Sequence, residues 1–190
     1  MATLTYRRLD PRVEQDRLEW RQVFRGAPSF THATEGRTPT DADADRMVDT
    51  LPNGKTAEDA FLYAIHANGE LCGCAYLARG YPTAGDASLV LLVLMERYQR
   101  SYLGVRILCW IEEQASKWGC TRLTGVVDTA NQKALRFWQR LGFQEERRKK
   151  LPGLVAEGIV GFIPLSPEPD TERTSSGRLR RLEAAGPVKP

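Results

Sequence analysis

The feature that most limits what this chain can become is "ASLVLLVLM", residues 87–95, an apolar run without polar alternation that stops abruptly at "ERYQRSYLGVRIL", residues 96–108. An extended run with no polar face has to be covered on both sides, so it predicts a central strand in a sheet sandwiched between other layers. The segment that follows, 102–119, carries apolar residues at 104/105, 107/108, 111, 115 and 118, close to the 3.6-residue period of a helix, and ends at Gly119. A strand therefore ends in a short polar turn that opens a helix at once. The first N–H groups of a helix lack intrahelical partners and lie at the positive end of its dipole, so such a junction suits an anion. Arg97, Arg100 and Arg106 lie around it. Together these features suit a phosphate or pyrophosphate.

The remaining segments alternate between the two periodicities. "TLTYRRL" (3–9) reads as a strand and "VEQDRLEWRQVF" (13–24) as a helix. Residues 25–40, rich in Gly, Pro, Ser and Thr, read as a loop, and 40–51 as a short helix capped by Thr40. "AFLYAIHANGELCGCAYLARG" (60–80) is two strands about the Asn-Gly turn signal. "TRLTGVV" (121–127) is a strand, and "NQKALRFWQRLG" (131–142) a helix with Thr129 to Gln132 as its capping box. Residues 143–150 and 156–165 make a last strand pair. The predicted order is β-α-α-β-β-β-α-β-α-β-β, an α/β architecture with a mixed central sheet flanked by helices. One domain spans 1–165. Residues 166–190 have little to bury, which predicts a disordered tail.

Composition excludes several classes. No stretch reaches the roughly 18 apolar residues of a membrane span, and the N-terminus lacks the apolar core of a secretory signal. Cys72, Cys74, Cys109 and Cys120 contain no Cys-x-x-Cys pair, and His32 and His66 are the only histidines, so no metal is expected. The cysteines read as reduced thiols of a cytoplasmic protein, with Cys72 and Cys74 on one face of their strand. The net charge of +3 is uneven: −3 over 1–95, +5 over 96–165 and +1 in the tail. A polyanionic ligand thus fits the second half better. Asp41, Asp45 and Asp49, spaced by four, line one helix face, either as a solvated surface or as a rim for a cationic acceptor. The "RRKK" run (147–150) would be split between two strand faces, which argues against nucleic acid.

Two motifs then act together. "QRSYLG", Gln99 to Gly104, matches the Gln/Arg-x-x-Gly-x-Gly/Ala loop of the GNAT superfamily of N-acetyltransferases, and "NQKALRFWQRLGF", Asn131 to Phe143, matches its later Asn-x-x-Ala signature ending in Gly-Phe. The chain resembles that superfamily in element order over about residues 3–165. The resemblance implies a cosubstrate, acetyl-CoA, in a V-shaped opening between the strands at 88–95 and 121–127. The backbone of Leu92, Val93 and Leu94 would pair with the pantetheine arm. Gln99, Arg100, Ser101, Tyr102, Leu103, Gly104 and Val105 would hold the pyrophosphate. An N–H near Leu94 would polarise the thioester, and Asn131 and Trp138 would lie along the arm.

Two positions depart from the family pattern. Tyr102 stands where a loop glycine is usual, which requires an ordinary φ or some strain. Trp138 stands where a tyrosine often protonates the departing thiolate, and an indole cannot deliver that proton. Tyr102, Tyr98 or water could serve as the acid. Alternatively the thiolate could leave unaided, or the protein could bind coenzyme A without transfer. For the acceptor the resemblance points to an amine, most simply on a small molecule, received by the first two helices, the loop between them and the last strand pair at 143–165. Its base would be Glu35, Asp86, Asp128 or His32. A macromolecular acceptor and a homodimer stay open.

Overall fold

The computed structural model describes residues 2–99, 101–151, 154 and 156–165. The elements are β1 (Leu4–Leu9), α1 (Glu14–Arg25), α2 (Pro28–Glu35), α3 (Asp41–Asp49), β2 (Ala60–Ala67), β3 (Glu70–Arg79), β4 (Asp86–Leu94), α4 (Leu103–Lys117), β5 (Arg122–Asp128), α5 (Gln132–Arg140), β6 (Gln144–Lys150) and β7 (Glu157–Pro164). The seven strands form one mixed sheet in the order β1-β2-β3-β4-β5-β7-β6. Only β4 and β5 run parallel. This is the mixed α/β sheet with flanking helices that the sequence predicts, with one helix more. The 25–40 stretch contains α2: Pro28 opens it and Gly36, at φ 71°, closes it. A proline in the first turn and a glycine past the last are helix punctuation as much as loop composition.

Other turn chemistry follows the expected lines. Asn68 and Gly69 both take positive φ in the β2–β3 hairpin, and Gly119 and Gly142 do so after α4 and α5. Thr40 precedes α3, its N–H and hydroxyl both donating to Asp43. The capping box predicted at Thr129 is absent. Asn131 is the cap instead, its Oδ1 accepting from Ala134 N–H, while the Thr129 hydroxyl donates to the Glu157 carbonyl on β7. The predicted tail from 166 lies outside the described residues.

The sheet has a core on each face. On one face α4 sets Leu103, Val105, Ile107, Leu108 and Ile111 against Ile65, Leu77, Leu89 and Leu123. On the other, Trp20, Val23 and Phe24 of α1 and Ala44 and Val48 of α3 cover Leu62, Tyr76, Leu91 and Val93. Full burial of each large side chain contributes on the order of 1.5–3 kcal/mol. The β4 run is thus apolar throughout because its residues supply both cores.

A register defect corrects the reading of the cysteines. Ile65 pairs with Gly73 but His66 pairs with Leu71, so β3 holds an extra residue. That bulge turns Cys72 into the α4-side core and leaves Cys74 in the α1-side core. All four cysteines are free and buried, and burial pushes the Cys72 thiol up to about 11.

The aspartates of α3 answer neither of the two sequence readings. Asp41 pairs with Arg25, Asp45 with Arg21 and Asp49 with Arg17. Spacings of four on two antiparallel helices bring three arginines opposite three aspartates, so this face is an interhelical ladder.

Candidate active site

The sheet parts beside a bulge. β4 and β5 pair from Asp86↔Arg122 to Leu89↔Gly125 and no further, although β4 continues to Leu94 and β5 to Asp128. On the β3 side, Leu77 pairs with Leu89 and Tyr76 with Leu91, so Val90 is an extra residue at the same level. A bulge bends its strand and raises the local twist. Here it swings the end of β4 away from β5 and opens a V. The bulge also moves the side chains of β4 to new faces: Leu89 lies in the α4-side core, Leu91 and Val93 in the other.

The edge of β4 inside the V follows from antiparallel alternation. Met95 N–H donates to Cys72 O at 2.9 Å. The next pairs therefore turn the Leu94 and Leu92 backbone groups away from β3 and into the opening, and the Val93 groups toward β3. One of these groups is engaged: Gln99 Nε2 donates to Leu94 O at 2.9 Å. Gln99 thus ties the turn back onto the strand.

The turn itself carries little strain. Tyr102 sits at φ −69°, an ordinary value, just before α4. Ser101 Oγ donates to Tyr98 O at 2.6 Å and accepts from Leu103 N–H at 3.4 Å. Arg106 N–H closes on Tyr102 O at 3.1 Å, so it begins the helical ladder. The N–H groups of Gly104 and Val105 have no acceptor among the described residues, as expected for a helix start. Gly104 has a packing reason as well. A Cβ there would lie 3.2 Å from the Phe137 ring of α5, so the missing side chain lets that ring rest on the first turn of α4.

Two of the arginines assigned to the anion point elsewhere. Arg106 Nη1 donates to Ala2 O at 2.7 Å, and Arg97 lies over the Tyr98 ring, 3.7 Å from Glu70. Arg100 lies outside the described residues. Trp138 is half-buried, its ring 5.2 Å from Phe137 and 6.3 Å from Phe143. The Tyr98 hydroxyl donates to Glu70 at 2.7 Å.

The base candidates separate cleanly. Asp86 is 1% exposed at the far end of β4 from the V, and Arg122 grips it through Nε at 2.7 Å and Nη2 at 3.0 Å. Thr83 adds its N–H and hydroxyl. Burial raises the pKa of Asp86, but the hydrogen bonds from Arg122 and Thr83 outweigh it and hold the carboxyl below its usual value. Asp86 is therefore a structural anchor. His32 is exposed on α2, and the Glu35 side chain lies outside what is described. Asp128 differs from all of them. It ends β5 at the mouth of the V and is 5% exposed, and Oδ1 accepts from Ala130 N–H at 2.8 Å. Its Oδ2 is buried with no hydrogen-bond partner among the described residues. A buried carboxylate oxygen left unpaired is costly and rare in folded proteins.

The sequence did not single out the clamp that sets the helices over the V. Glu96 N–H donates to Gly26 O at 2.8 Å, and its carboxylate accepts from Ser29 N–H at 2.8 Å. Met95 fills the space beside Gly26, where a Cβ would lie 2.3 Å from its terminal methyl. Gly26 in "RGAP" was the one available signal, and it reads equally as loop. No helix among the described residues is long and apolar enough to cross a membrane, and none of their His, Cys, Asp and Glu side chains group as a metal site.

Residues 18–143 match the model of the acetyltransferase (GNAT) family. An acetyltransferase from Thermus thermophilus superposes with a TM-score of 0.67 at 29% identity, covering 86% of this chain and 97% of its own. Aminoglycoside acetyltransferase AAC(6')-Ib, solved with coenzyme A, gives 0.64 at 18% identity over 85% of this chain and 95% of its own. IAA acetyltransferase from Bacillus cereus gives 0.56 at 14% identity over 86% of this chain and 100% of its own, and these two likenesses speak to the fold. A search of curated protein sequences finds no match. The parted sheet, the helix start beside it and both sequence motifs lie within the matched span, and the chain belongs to the GNAT family of acetyltransferases, acyltransferases that use acetyl-CoA.

Proposed function

We propose that this protein transfers the acetyl group of acetyl-CoA directly to a primary amine on a small molecule. The observation that carries the reading is the parting of β4 and β5 beyond Leu89 and Gly125, beside the start of α4. The freed edge offers the Leu92 backbone groups and the Leu94 N–H to an amide-bearing arm, as a neighbouring strand would. Val93 contributes through its side chain, which fixes the strand in the core. Gly104 and Val105 N–H offer hydrogen bonds to a pyrophosphate, supported by the helix dipole. Gln99 and Ser101 shape that turn, with Tyr102 and Leu103 opening the helix. Asn131 keeps its Oδ1 on the α5 cap, so only its amide N–H groups are available to the arm.

Acetyl-CoA supplies an acetyl group activated as a thioester. An amine at neutral pH is almost wholly protonated and has to lose a proton before it can attack. Asp128 Oδ2 takes that role, accepting the proton directly or through one water. The amine nitrogen bonds to the acetyl carbon and gives up its second proton to water, the carbon–sulfur bond breaks, and the thiolate leaves. Leu94 N–H, aimed into the V, hydrogen-bonds the acetyl oxygen as charge builds there. Such aimed donors lower a barrier by about 3 kcal/mol. Trp138 packs with Phe137 and Phe143 and supplies no proton. A thiol pKa of ~8.5 lets the thiolate leave without one.

Thiol release from acetyl-CoA across a panel of amines tests the reading, with coenzyme A affinity measured by calorimetry. Asp128→Asn should lower kcat about a hundredfold or more while leaving that affinity intact. A variant with wild-type kcat across the pH range removes Asp128 as the base.

A further inference from the structure

On the face of the sheet that carries Asp128, the β5-β7-β6 end is open, and its chemistry is one-sided. Strand pairing puts Asp128, Gly158 and Lys149 in one row across β5, β7 and β6, with Val126, Val160 and Arg147 in the next. Paired residues share a face, as do residues two apart on one strand, so all six belong to the same surface. Every residue of β6 is exposed, and Val126 is 47% exposed although it sits mid-strand in the sheet. Gly158 supplies no side chain to the row. A Cβ there would lie 2.7 Å from Val126, 2.9 Å from Leu154 and 3.3 Å from Leu151, so these aliphatic groups close over it. The row therefore starts at a buried carboxylate oxygen with no partner among the described residues, crosses an aliphatic floor and ends at a lysine.

The charges on this face do not cancel. Arg122 is matched by Asp86 and Glu146. Glu145 and Arg148, which pair with each other, lie on the opposite face, level with Gly161 and Ile159. Arg147 and Lys149 have no ion pair among the described residues, and Asp128 Oδ2 has no hydrogen-bond partner among them. We infer that the acceptor is a primary amine carrying a carboxylate, the two separated by an apolar segment: the amine lies at Asp128, the apolar segment on Val126 and its neighbours, and the carboxylate at Lys149 and Arg147. Two strand spacings separate the ends of the row, roughly 10 Å between backbones. That distance suits a carboxylate several bonds from the amine. The inference rests on the active-site reading above and adds the substrate class to it.

Aminohexanoate and hexylamine differ only in the carboxylate and serve as probes. kcat/KM is measured from thiol release with acetyl-CoA, and affinity from titration of each amine into the protein saturated with coenzyme A. Wild type should favour aminohexanoate about tenfold or more, as expected of a charge-assisted contact. In Arg147→Ser/Lys149→Ser the preference should fall to about one, with hexylamine unchanged. Because β6 is exposed along its length, this variant keeps its fold, which circular dichroism and unchanged coenzyme A affinity verify. Equal treatment of the two amines by wild type, a preference retained in the double variant, or binding of neither amine overturns the inference. Loss of coenzyme A binding in wild type would instead remove the active-site reading beneath it.

Discussion

Asp86→Ala separates an anchoring carboxylate from a catalytic one. The side chain is 2% exposed and accepts four hydrogen bonds: 2.7 and 3.0 Å from Arg122, 3.2 and 2.7 Å from Thr83. Removing one partner of a buried ion pair costs about 3–5 kcal/mol when the other charge is stranded. Arg122 is not stranded, because its side chain is 33% exposed and also reaches Glu146 at 2.9 Å. The guanidinium can turn to Glu146 and water, so the loss is confined to the Thr83 donors and the β4–β5 tie. That places the cost at about 2–3 kcal/mol, above the usual effect of a single substitution. Urea unfolding at neutral pH measures it. Asp86→Asn, which keeps the shape and an acceptor for Thr83, should cost roughly half as much. Both variants should retain kcat at a temperature where they are folded, since the pair lies at the end of β4 opposite the V. A folded Asp86→Asn with kcat reduced a hundredfold would refute the argument and return Asp86 to the list of bases.

Three further outcomes follow from the same structure. Arg21→Asp should lower Tm by a few degrees, and adding Asp45→Arg should restore most of it, with the difference shrinking at high salt; no recovery in thermal melts would mean that the α1–α3 ladder does not couple the helices. Asp43, Asp49 and Asp86 have lowered pKa values: at Asp86 burial is the largest single effect and pushes the value up, but the hydrogen bonds from Arg122 and Thr83 together outweigh it, and at Asp43 and Asp49 the arginine partner is the largest effect. Their stabilisation is therefore complete above the unfolded value of about 4 and lost as pH falls below it; Cys72 works in the opposite direction, its stabilisation being present below about 8.5 and lost as pH rises through about 11. Denaturant midpoints from pH 2 to 11 should hence trace a plateau with falling edges, and a midpoint unchanged at pH 3 contradicts the assignment. Trp138→Tyr should leave kcat within a few-fold of wild type and cost some packing, whereas a large rise in kcat at neutral pH would show that a missing proton donor limits turnover.

The sequence alone determined whatever depends on neighbours along the chain. Side-chain period and turn residues are local, so the central strand at 87–95, the Asn68-Gly69 hairpin, the glycines ending α4 and α5, and the helix start after Gln99 could all be read directly. The motif pair then placed these elements in a family. Tertiary structure decided what depends on partners far apart in the chain. The bulges at Val90 and Cys72 are mismatches between two strands, and nothing within either strand marks them, yet the first opens the V and the second divides the cysteines between two cores. Asp86 and Asp128 are the same residue type on neighbouring strands. One is neutralised by Arg122, 36 positions away, and the other keeps a buried oxygen with no partner among the described residues. The aspartates spaced by four on α3 looked like a free acidic face until the arginines of α1, 16 to 32 positions earlier, came opposite them. A carboxylate's role is set by the charges and hydrogen-bond donors within a few ångströms of it, and folding brings those from any distance in sequence.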